Sequence, residues 1–512
     1  MSSVDCIDGT IGRIALLDVA ATRKVEGEAL SALPSFTLMA RAGEAVARLA
    51  LALAPHARRI VVFAGPGNNG GDGIEAATRL CEWGKSTTVL RAGAAAALPP
   101  DASHALARAR AAGVDIRDFD AGQAIDGDRP DLIIDALLGI GASRAPEGAI
   151  AAAIGRIAEL AAHGARVLAI DVPSGLAVDR GQPLGTACVS ASDTLTLIAP
   201  KPGLFTGNGR DHAGRTWCAR LGVGFAEGAA TAWLVGTSDP SCASAARRQA
   251  SHKGSFGDVA VVGGAPGMAG AAWLAARAAH AAGAGRVFVE LAGSARNDDG
   301  TGAIDPLRPE LMFRHGWSQG DASVIAATTV VCGCGGGDAV RATLPKLLSV
   351  AARLVLDADA LNAIAADPSL LALAAARERR GHMTIMTPHP LEAARLLDRS
   401  AADVQADRLG AARELAKRLR SVIVLKGSGT VICAADGTAR VNATGNASLA
   451  SAGTGDVLAG WLGGRWASLA ASPFDIATRA VIEHGAAADP DRPGALRAGD
   501  LVERLHRRDR DG

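Results

Sequence analysis

Short runs of aliphatic and β-branched residues, most of them closed by a polar or glycine-containing turn, alternate with longer amphipathic stretches along the chain. Such runs are typical of buried parallel strands, and the longer stretches are typical of the helices that connect them. Two alanine-rich helices are predicted first, over 13–30 and 35–54. The strands predicted in the first series span 60–64, 87–91, 132–136, 167–170 and 194–199.

The alternation loosens between 225 and 251, where small and polar residues prevail, and it resumes afterwards. The pattern therefore predicts an α/β protein with two domains, over 1–224 and 225–512. In open α/β sheets, ligands bind beyond the carboxyl ends of the strands, so the turns after the strands are the places to search for function. The strands predicted in the second series span 259–262, 287–290, 330–331, 354–356, 384–386, 422–425 and 430–434.

Composition narrows the functional classes. Lys and Arg number 53 and Asp and Glu number 52, so the chain lacks the overall basic charge that favours nucleic acid or an anionic membrane. No apolar run approaches the roughly 20 residues that span a bilayer, and the first residues lack the pattern of a secretory signal. The 8 cysteines are dispersed, and we expect reduced thiols. These features favour a cytoplasmic enzyme with small-molecule ligands, without nucleic-acid or membrane partners.

The first candidate site follows the strand at 60–64. The sequence from Val61 to Gly73 reads VVFAGPGNNGGDG, which predicts a strand, a glycine-rich loop and a helix beginning near Ile74. Glycines allow backbone NH groups to approach an anion, and a helix N-terminus adds positive potential. The spacing fits neither GxGxxG nor a Walker loop. A phosphate-bearing ligand is the prediction, and a purely structural turn is the alternative.

Two more strand ends carry polar residues. DALLGIG places Asp135 at the end of one strand, and AIDVPSG places Asp171 and Ser174 after the next. Together with the NNGGDG loop, these motifs resemble the NAD(P)H-hydrate epimerase family over most of residues 1–224. The resemblance implies a Rossmann-like three-layer αβα domain that interconverts the R and S forms of hydrated NADH and NADPH (NADHX and NADPHX). Epimerisation needs a positioned acid or base, for which Asp171 is the candidate; capping of its own turn is the alternative role.

The resemblance also assigns ligand contacts in this half. It implies that the substrate's phosphates and sugar are held by Asn68, Asn69, Gly70, Gly71 and Asp72. It implies an opposing loop that consists of Gly139, Ile140, Gly141, Ala142, Ser143, Arg144 and Ala145. Asp171 would face the nicotinamide ring. K⁺ would be coordinated by Asn69, Asp135 and Ser174, whose oxygen atoms suit a hard cation. Lys201, in APKPGL after a later strand, receives no role.

The second half carries an ordered series of motifs. They are HKGSFG from His252, GAA from Gly270, LDADALN from Leu356, TPHP from Thr387, LKGSGT from Leu425 and AGTGD from Ala452. They resemble the ADP/ATP-dependent NAD(P)H-hydrate dehydratase family, which has the ribokinase-like αβα fold, from His252 to about Asp489. The resemblance implies dehydration of the S form of the hydrate to NADH or NADPH with release of phosphate. It implies ADP or ATP with Mg²⁺ as co-substrate, and a homo-oligomer.

The chemistry of the last motif can be argued locally. Gly453 to Asp456 open a helix, so successive NH groups and the helix dipole can stabilise charge on a transferring phosphoryl group. A purely structural turn at the start of the helix is the alternative. Asp456 is placed to accept the proton of the attacking hydroxyl, which in the dehydratase belongs to the hydrate. The resemblance implies a nucleotide site that consists of Lys426, Gly427, Ser428, Gly429, Thr430 and Gly455. It implies substrate contacts by Ala271, Gly335, His389 and Asp456.

Some roles and functions have alternatives. His389 could instead be a structural residue, and Asp357 and Asp359 are expected to be structural or to organise an ion. Cys334, Gly336 and Leu391 stand where the family has Pro, Leu and Gly, which is a reason for a lower dehydratase rate. A small-molecule kinase is the first alternative function, against which TPHP, LKGSGT and NNGGDG argue. A degenerate nucleotide-binding sensor is the second, against which the retained polar residues at the strand ends argue.

Overall fold

The structure is a computed structural model that describes residues 4–93, 98–121, 129–243, 247–293, 305–488 and 494–511. The chain forms two compact units. Unit 1 comprises Met1–Asp8 and Ala15–Trp233, and unit 2 comprises Gly9–Ile14 and Leu234–Gly512. The division at 233/234 therefore lies nine residues beyond the boundary inferred at 224/225, and a short segment near the N-terminus belongs to unit 2.

Strands and helices alternate through both units. The strands are β1 (Val4–Ile7), β2 (Arg13–Leu16), β3 (Arg59–Ala64), β4 (Ser86–Arg91), β5 (Asp115–Asp118), β6 (Leu132–Ala136), β7 (Arg166–Ile170), β8 (Asp193–Leu197), β9 (Arg215–Ala219), β10 (Ala232–Val235), β11 (Asp258–Gly263), β12 (Arg286–Leu291), β13 (Met312–Phe313), β14 (Thr329–Cys332), β15 (Arg353–Leu356), β16 (Met383–Met386), β17 (Val422–Leu425), β18 (Val431–Cys433) and β19 (Ala439–Asn442).

The α-helices are α1 (Val19–Ala32), α2 (Thr37–Leu53), α3 (Asn68–Glu82), α4 (Pro100–Ala111), α5 (Gly148–Ala162), α6 (Gly209–Ala213), α7 (Ala269–Ala281), α8 (Ala322–Ala327), α9 (Leu344–Val350), α10 (Ala358–Ala366), α11 (Pro368–Ala375), α12 (Pro390–Leu397), α13 (Ala401–Ala406), α14 (Arg408–Leu419), α15 (Thr454–Ser468), α16 (Pro473–Ala487) and α17 (Ala498–Asp511). None of the described helices is long and apolar enough to cross a membrane.

The sheet of unit 1 has eight strands in the order β1-β9-β8-β7-β6-β3-β4-β5. All neighbouring pairs are parallel except β1 and β9. Alternate residues of β3 face opposite sides of the sheet. Ile60 and Val62 pack with α2, α3 and α4 in one core, whereas Val61 and Phe63 pack with α5 in another. Helices therefore cover both faces, which confirms the predicted three-layer αβα fold.

The second sheet has eleven strands in the order β13-β12-β11-β14-β15-β16-β17-β18-β19-β10-β2. The pairs from β13 to β17 are parallel, and β17, β18 and β19 pair antiparallel. Val259 and Val261 of β11 pack with residues of α7, α15, α16 and α17 in one core, and α14 packs against β17 and β18. The predicted α/β architecture is confirmed here too, and its carboxyl strand ends carry the second set of motifs.

Two predicted helix starts are wrong. Arg13–Leu16, predicted as helical, is strand β2. Helix α1 begins only at Val19, where the side chain of Asp18 accepts a hydrogen bond from the Ala21 NH at 2.8 Å and caps the helix. Helix α3 begins at Asn68 rather than near Ile74, so NNGGDG is helical and is not a loop. Asn, Gly and Asp have low helix propensity, and the sequence pattern therefore places this start too late.

Candidate active sites

Unit 1 contains a cavity of about 750 Å³ beside the ends of β3, β6 and β7. Asn68, Asn69 and Asp72 line it from α3, and Asp171 lines it from the turn after β7. The cavity is also lined by the whole predicted opposing loop, Gly139, Ile140, Gly141, Ala142, Ser143, Arg144 and Ala145. This volume lies in the range of small-molecule and cofactor sites. The structure thus brings most of the residues predicted for the first site into one space.

The glycines of NNGGDG are required by packing. A Cβ on Gly70 would lie 2.0 Å from the carbonyl oxygen of Gly65, and a Cβ on Gly73 would lie 2.4 Å from the Cβ of Ala136. Because these glycines have no Cβ, α3 can begin directly against the preceding loop and β6. This close packing brings the neighbouring polar residues to the cavity. Gly70 and Gly71 are not among the residues that line the cavity, so their contact with a substrate stays a prediction.

Asp135 and Ser174, two of the predicted ion ligands, form a tight hydrogen-bonded pair. The Oγ of Ser174 donates to Oδ1 of Asp135 at 2.6 Å, and the Ser174 NH donates to Oδ2 at 2.8 Å. Both residues are fully buried. The Leu138 NH donates to Ser174 Oγ at 2.9 Å, and the adjacent Gly139 lies against the side chain of Asn69. All three predicted ligands therefore belong to one neighbourhood.

The charge of Asp135 makes this neighbourhood suitable for a cation. Burial raises the pKa of Asp135 to about 6, and the hydrogen bonds from Ser174 lower it only in part. In the described part of the chain, no basic side chain forms an ion pair with Asp135. The amide nitrogen of Asn69 is buried without a hydrogen-bond partner there, so its amide can turn its oxygen toward an ion without losing a hydrogen bond.

Asp171 adopts a left-handed backbone conformation with φ of 65°, which is uncommon for residues other than glycine. Its Oδ1 accepts hydrogen bonds from the Leu197 NH at 3.1 Å and from Thr196 Oγ1 at 3.4 Å. The Nζ of Lys201 also donates to Oδ1. The carboxylate therefore accepts hydrogen bonds from residues at and after the end of β8. These contacts do not cap its own turn, which was the alternative role considered from the sequence.

Besides Asp101 and Glu147, two carboxyl groups line the cavity together with Asp171. Asp72 lines it from α3 and Glu26 from α1. Burial raises the pKa of Asp72 well above its ordinary value, and the negative charge of Asp171 raises it further. The pKa of Glu26 is raised by burial and then by Asp171, although Lys201 and Arg23 act in the opposite direction. Unit 1 therefore places two carboxyl groups with raised pKa values in the same cavity as Asp171.

In unit 2, Asp456 lies in the first turn of α15, which begins at Thr454 directly after Gly453, a residue with φ of 87°. The predicted helix start is therefore found at this motif. A carboxylate oxygen of Asp456, one of Asp357 and the Sγ of Cys334 all lie within 4.8 Å of one another. Burial raises the pKa of Asp456 to about 6, and the charge of Asp357 contributes. Asp456 is thus ionised at neutral pH and can accept a proton.

Lys426 joins this group of carboxylates. Its Nζ donates to Oδ1 of Asp357 at 2.6 Å and lies 3.9 Å from Oε2 of Glu392. Burial lowers the pKa of Lys426, but the charges of Asp357 and Glu392 raise it above its ordinary value. A Cβ on Gly455 would lie 3.5 Å from Nζ. Lys426 and Gly455, which are both predicted for the nucleotide site, therefore lie next to each other.

The rest of the predicted nucleotide segment is the turn between β17 and β18. Gly427 and Gly429 have φ values of 131° and 62°, conformations that favour glycine. Thr430 Oγ1 donates to the Gly427 carbonyl at 3.1 Å and closes the turn. Ser428 is exposed at its tip. These residues are next to Lys426 in the chain, and their contact with a nucleotide stays a prediction.

His389 caps helix α12. Its Nδ1 accepts hydrogen bonds from the Leu391 NH at 3.1 Å and the Glu392 NH at 3.3 Å, and its Nε2 lies 3.2 Å from Oε1 of Glu392. Burial lowers the pKa of His389, and the neighbouring Lys426 lowers it further. The side chain is half-exposed, so its contact with a substrate stays a prediction beside this structural role.

The glycine-rich turn after β14 approaches α7. A Cβ on Gly335 would lie 2.8 Å from the Cβ of Ala271, so two residues predicted to contact the substrate are neighbours. The Gly337 NH donates to Oδ2 of Asp359 at 2.8 Å, which supports a structural role for that aspartate. Leu391, one of the departures from the family pattern, has a side chain that is largely exposed.

Sequence reasoning missed several groups in the two sites. In unit 1 these are Lys201 and Glu26. The APKPGL motif marks the position of Lys201, but no local signal reveals its contact with Asp171. In unit 2, Cys334 is fully buried with Sγ 3.9 Å from Oδ2 of Asp357, and Glu392 lies beside Lys426. Burial raises the pKa of Cys334 well above its ordinary value and that of Glu392 to about 7.

Comparisons with known proteins agree with these motifs. Residues 35–203 match the family described as YjeF-related protein N-terminus, and residues 259–504 match the family described as NAD(P)H-hydrate dehydratase. A solved structure of ADP/ATP-dependent NAD(P)H-hydrate dehydratase from Bacillus subtilis, co-crystallised with ATP/Mg²⁺, is 30% identical with a TM-score of 0.43, and the match covers 51% of this chain and 92% of that chain.

Full-length relatives match both halves. The bifunctional NAD(P)H-hydrate repair enzyme Nnr of Escherichia coli is 37% identical over 469 residues, which cover 89% of this chain and 85% of that protein. The enzyme of the same name from Coxiella burnetii is 38% identical over 477 residues, which cover 90% of this chain and 91% of that protein. The chain belongs to the family of bifunctional NAD(P)H-hydrate repair enzymes.

Proposed function

We propose that unit 1 interconverts the R and S forms of NADHX and NADPHX, and that unit 2 dehydrates the S form with ADP or ATP as phosphate donor. The observation that carries this proposal is the convergence of Asp456, Lys426 and Gly455 at the N-terminus of α15. A base, a cation and a helix N-terminus are the groups that phosphoryl transfer to a hydroxyl needs.

The dehydration proceeds in two balanced steps. The hydroxyl of the hydrate gives its proton to Asp456 as its oxygen bonds to the terminal phosphorus, and the bond from that phosphorus to the nucleotide breaks. Lys426 and the NH groups at the start of α15 stabilise the charge on the phosphoryl oxygens. The carbon–oxygen bond of the phosphate ester then breaks, the leaving phosphate takes a proton from the adjacent carbon, and the double bond is restored. Asp456 gives its proton to solvent.

The residues of unit 2 suit a magnesium nucleotide. Carboxylates of Asp357, Asp359, Glu392 and Asp456 influence one another electrostatically around the single ammonium group of Lys426. Mg²⁺ prefers carboxylate and phosphate oxygens, so Asp357 is the residue that we assign to hold it. The ion would neutralise charge on the nucleotide phosphates. Ala271, Gly335 and His389 are assigned to the substrate, and Gly427, Ser428, Gly429 and Thr430 to the nucleotide.

In unit 1, we assign the substrate to the cavity, with Asp171 beside the hydrated ring. Asn68, Asn69 and the loop from Gly139 to Ala145 would contact the rest of the dinucleotide, and Asp72 would contact the substrate from α3. Asn69, Asp135 and Ser174 would hold K⁺, whose charge would offset that of the buried Asp135 carboxylate. The ion would fix the relative positions of α3 and the turns after β6 and β7. Cytoplasmic localisation and assembly into a homo-oligomer stay predictions.

The test is recovery of NADH absorbance from a mixture of the two hydrate epimers with Mg²⁺, comparing ADP, ATP and no nucleotide. We expect nucleotide-dependent recovery of both epimers with one phosphate released per NADH. Asp456→Asn should abolish recovery of both epimers, whereas Asp171→Asn should leave rapid recovery of the S form alone. Asp436→Asn and Asp211→Asn, which change exposed aspartates in unit 2 and unit 1, are the controls. Phosphate transfer to another alcohol without NADH recovery would instead identify a small-molecule kinase.

A further inference from the structure

The buried pair of Lys201 and Asp171 carries an inference that rests on the proposed epimerisation. We propose that Lys201 is a positioning residue that fixes Asp171 as the base of the reaction, and that Asp72 supplies the proton. The sequence motifs suggest neither the role of Lys201 nor that of Asp72. The APKPGL motif assigns no role to Lys201, and the resemblance of NNGGDG implies that Asp72 contacts the phosphates and sugar.

Lys201 has no hydrogen left for a ligand. Its Nζ donates to Oδ1 of Asp171, to Oγ1 of Thr196 at 3.2 Å and to the Leu197 carbonyl at 2.7 Å. An ammonium group has three N–H donors, and these acceptors use all of them. The side chain is also almost wholly buried. Lys201 lines the cavity, but with its three N–H donors engaged it acts on a ligand there through Asp171.

The same contacts select one oxygen of Asp171. Its Oδ1 receives Lys201, the Leu197 NH and Thr196, whereas no donor contacts Oδ2 in the described part of the chain. The left-handed backbone of Asp171 is held by the hydrogen bond from its NH to the Leu195 carbonyl at 2.7 Å. Both the backbone and Oδ1 are thus fixed. Oδ2 is the atom that remains to take a proton from a ligand.

Asp72 has the opposite surroundings. It lines the same cavity, and in the described part of the chain no basic side chain forms an ion pair with it. The charged groups that act on it are Asp171, Glu26 from α1 and Asp101 from α4, all of them acidic. Burial and these charges raise the pKa of Asp72 and favour its protonated form. Glu26 is less suited, because Lys201 and Arg23 counteract the rise in its pKa.

Two carboxyl groups with such different surroundings can divide the roles of base and acid. The hydrated carbon of the substrate carries a hydroxyl group and is bonded to the ring nitrogen. Oδ2 of Asp171 takes the hydroxyl proton, the carbon–nitrogen bond breaks to leave an aldehyde, and the nitrogen takes the proton of Asp72. Rotation of the aldehyde and the reverse transfers close the ring on its other face. No external oxidant, reductant or water is consumed.

The experiment measures epimerisation of purified R hydrate by the full-length protein. Excess dehydratase and nucleotide are added to convert the S hydrate that forms into NADH, whose absorbance is recorded. Lys201→Met should lower kcat about 100-fold or more with KM changed less than about threefold. The pH profile of kcat should also differ between Lys201→Met and the wild type. The acidic limb of the profile, where kcat falls on acidification, should move to higher pH by about one unit or more in the variant, because a carboxylate without an adjacent positive charge keeps its proton to higher pH. Lys201→Arg, which keeps the charge, should leave the limb in place.

Controls separate this inference from the proposed function and from a folding defect. Lys24→Met changes an exposed lysine of α1 and should match the wild type. Dehydration of the S form reports only on unit 2, so urea denaturation of each variant is used to show that unit 1 is folded. Asp72→Asn removes the acid without unpairing a charge, and it should lower kcat about 100-fold. Unchanged kcat in Asp72→Asn, or a Lys201→Met limb at the wild-type pH, would overturn the inference. Absence of epimerisation by the wild type would overturn the proposed function itself.

Discussion

The ammonium group of Lys426 lies 2.6 Å from Oδ1 of Asp357 and close to the backbone of Gly455. One lysine therefore connects a carboxylate at the end of β15 with the first turn of α15. Removing it leaves Asp357 and Glu392 close together without a positive neighbour and removes a cation from the phosphoryl site. The first prediction concerns this lysine.

We expect Lys426→Met to lower nucleotide-dependent dehydration about 100-fold or more, because a preorganised group at the developing charge is lost. The rate of NADH recovery from S hydrate with ADP or ATP measures the effect. Lys417→Met, at an exposed lysine of α14, should keep the wild-type rate. A Lys426→Met variant with full activity would contradict the assignment of Lys426 to the phosphoryl site.

The pH dependence of dehydration should show the protonation of Asp456. Because its pKa is raised to about 6, Asp456 is protonated below that pH and cannot accept a proton from the substrate. We therefore expect kcat to fall as the pH decreases through about 6 and to be constant from there to about 8. An acidic limb near the ordinary aspartate value, with nucleotide saturating throughout, would exclude Asp456 as the base.

Potassium should stabilise unit 1 in a pH-dependent manner. The folded-state pKa of Asp135, about 6, lies above its value in the unfolded chain, so its ionisation costs stability increasingly as the pH rises to about 6. An ion that binds the ionised carboxylate offsets this cost only at the higher pH. The melting temperature in potassium chloride should thus exceed that in choline chloride at about pH 8 and not at about pH 5.

The Asp135→Asn variant tests whether Asp135 binds the K⁺ ion in that experiment. The substitution should remove the difference in melting temperature between the two salts at about pH 8. Asp211→Asn should preserve the difference, because Asp211 is exposed and lies outside the Asp135 site. Equal melting temperatures of the wild type in the two salts at both pH values would contradict the K⁺ site.

The surroundings of Gly70 in α3 and Gly155 in α5 predict opposite effects of replacing each glycine with alanine. Gly70→Ala should lower the free energy of unfolding by about 1–3 kcal/mol, because its Cβ would meet the Gly65 carbonyl at 2.0 Å. Gly155→Ala should raise it by about 0.4–1 kcal/mol, because Gly155 lies in α5 with nothing within 4 Å of a Cβ. Urea denaturation of both variants measures the difference, and a Gly70→Ala variant as stable as the wild type would contradict the packing argument.

The central strands could be predicted because each is a short apolar run closed by a polar turn. β3, β6 and β7 are found where the pattern places them, and so are the polar residues at their ends. Strands at the sheet edges escaped prediction. β5 consists of DIRD and is mostly exposed, so it lacks the apolar signal on which the prediction depends.

Long-range contacts could not be predicted from spacing. Lys201 and Asp171 are 30 residues apart, and Lys426 and Asp357 are 69 apart. Their pairing depends on which strands become neighbours in the folded sheet. The local pairing of His389 with Glu392 differs, because Glu three residues after a capping residue is a recognisable sequence signature.

The N-terminal segment has a consequence for dividing the protein. Gly9–Ile14 belongs to unit 2, β2 is the edge strand next to β10, and Arg13 binds both carboxylate oxygens of Asp239 at 2.9 and 3.0 Å. A C-terminal fragment that starts at 232, so that β10 stays whole, would still leave Asp239 without this arginine and would leave the outer edge of β10 unpaired. Unpaired sheet edges promote aggregation. An expressible dehydratase fragment therefore needs residues 9–16 supplied again, as a grafted strand or through a circular permutation.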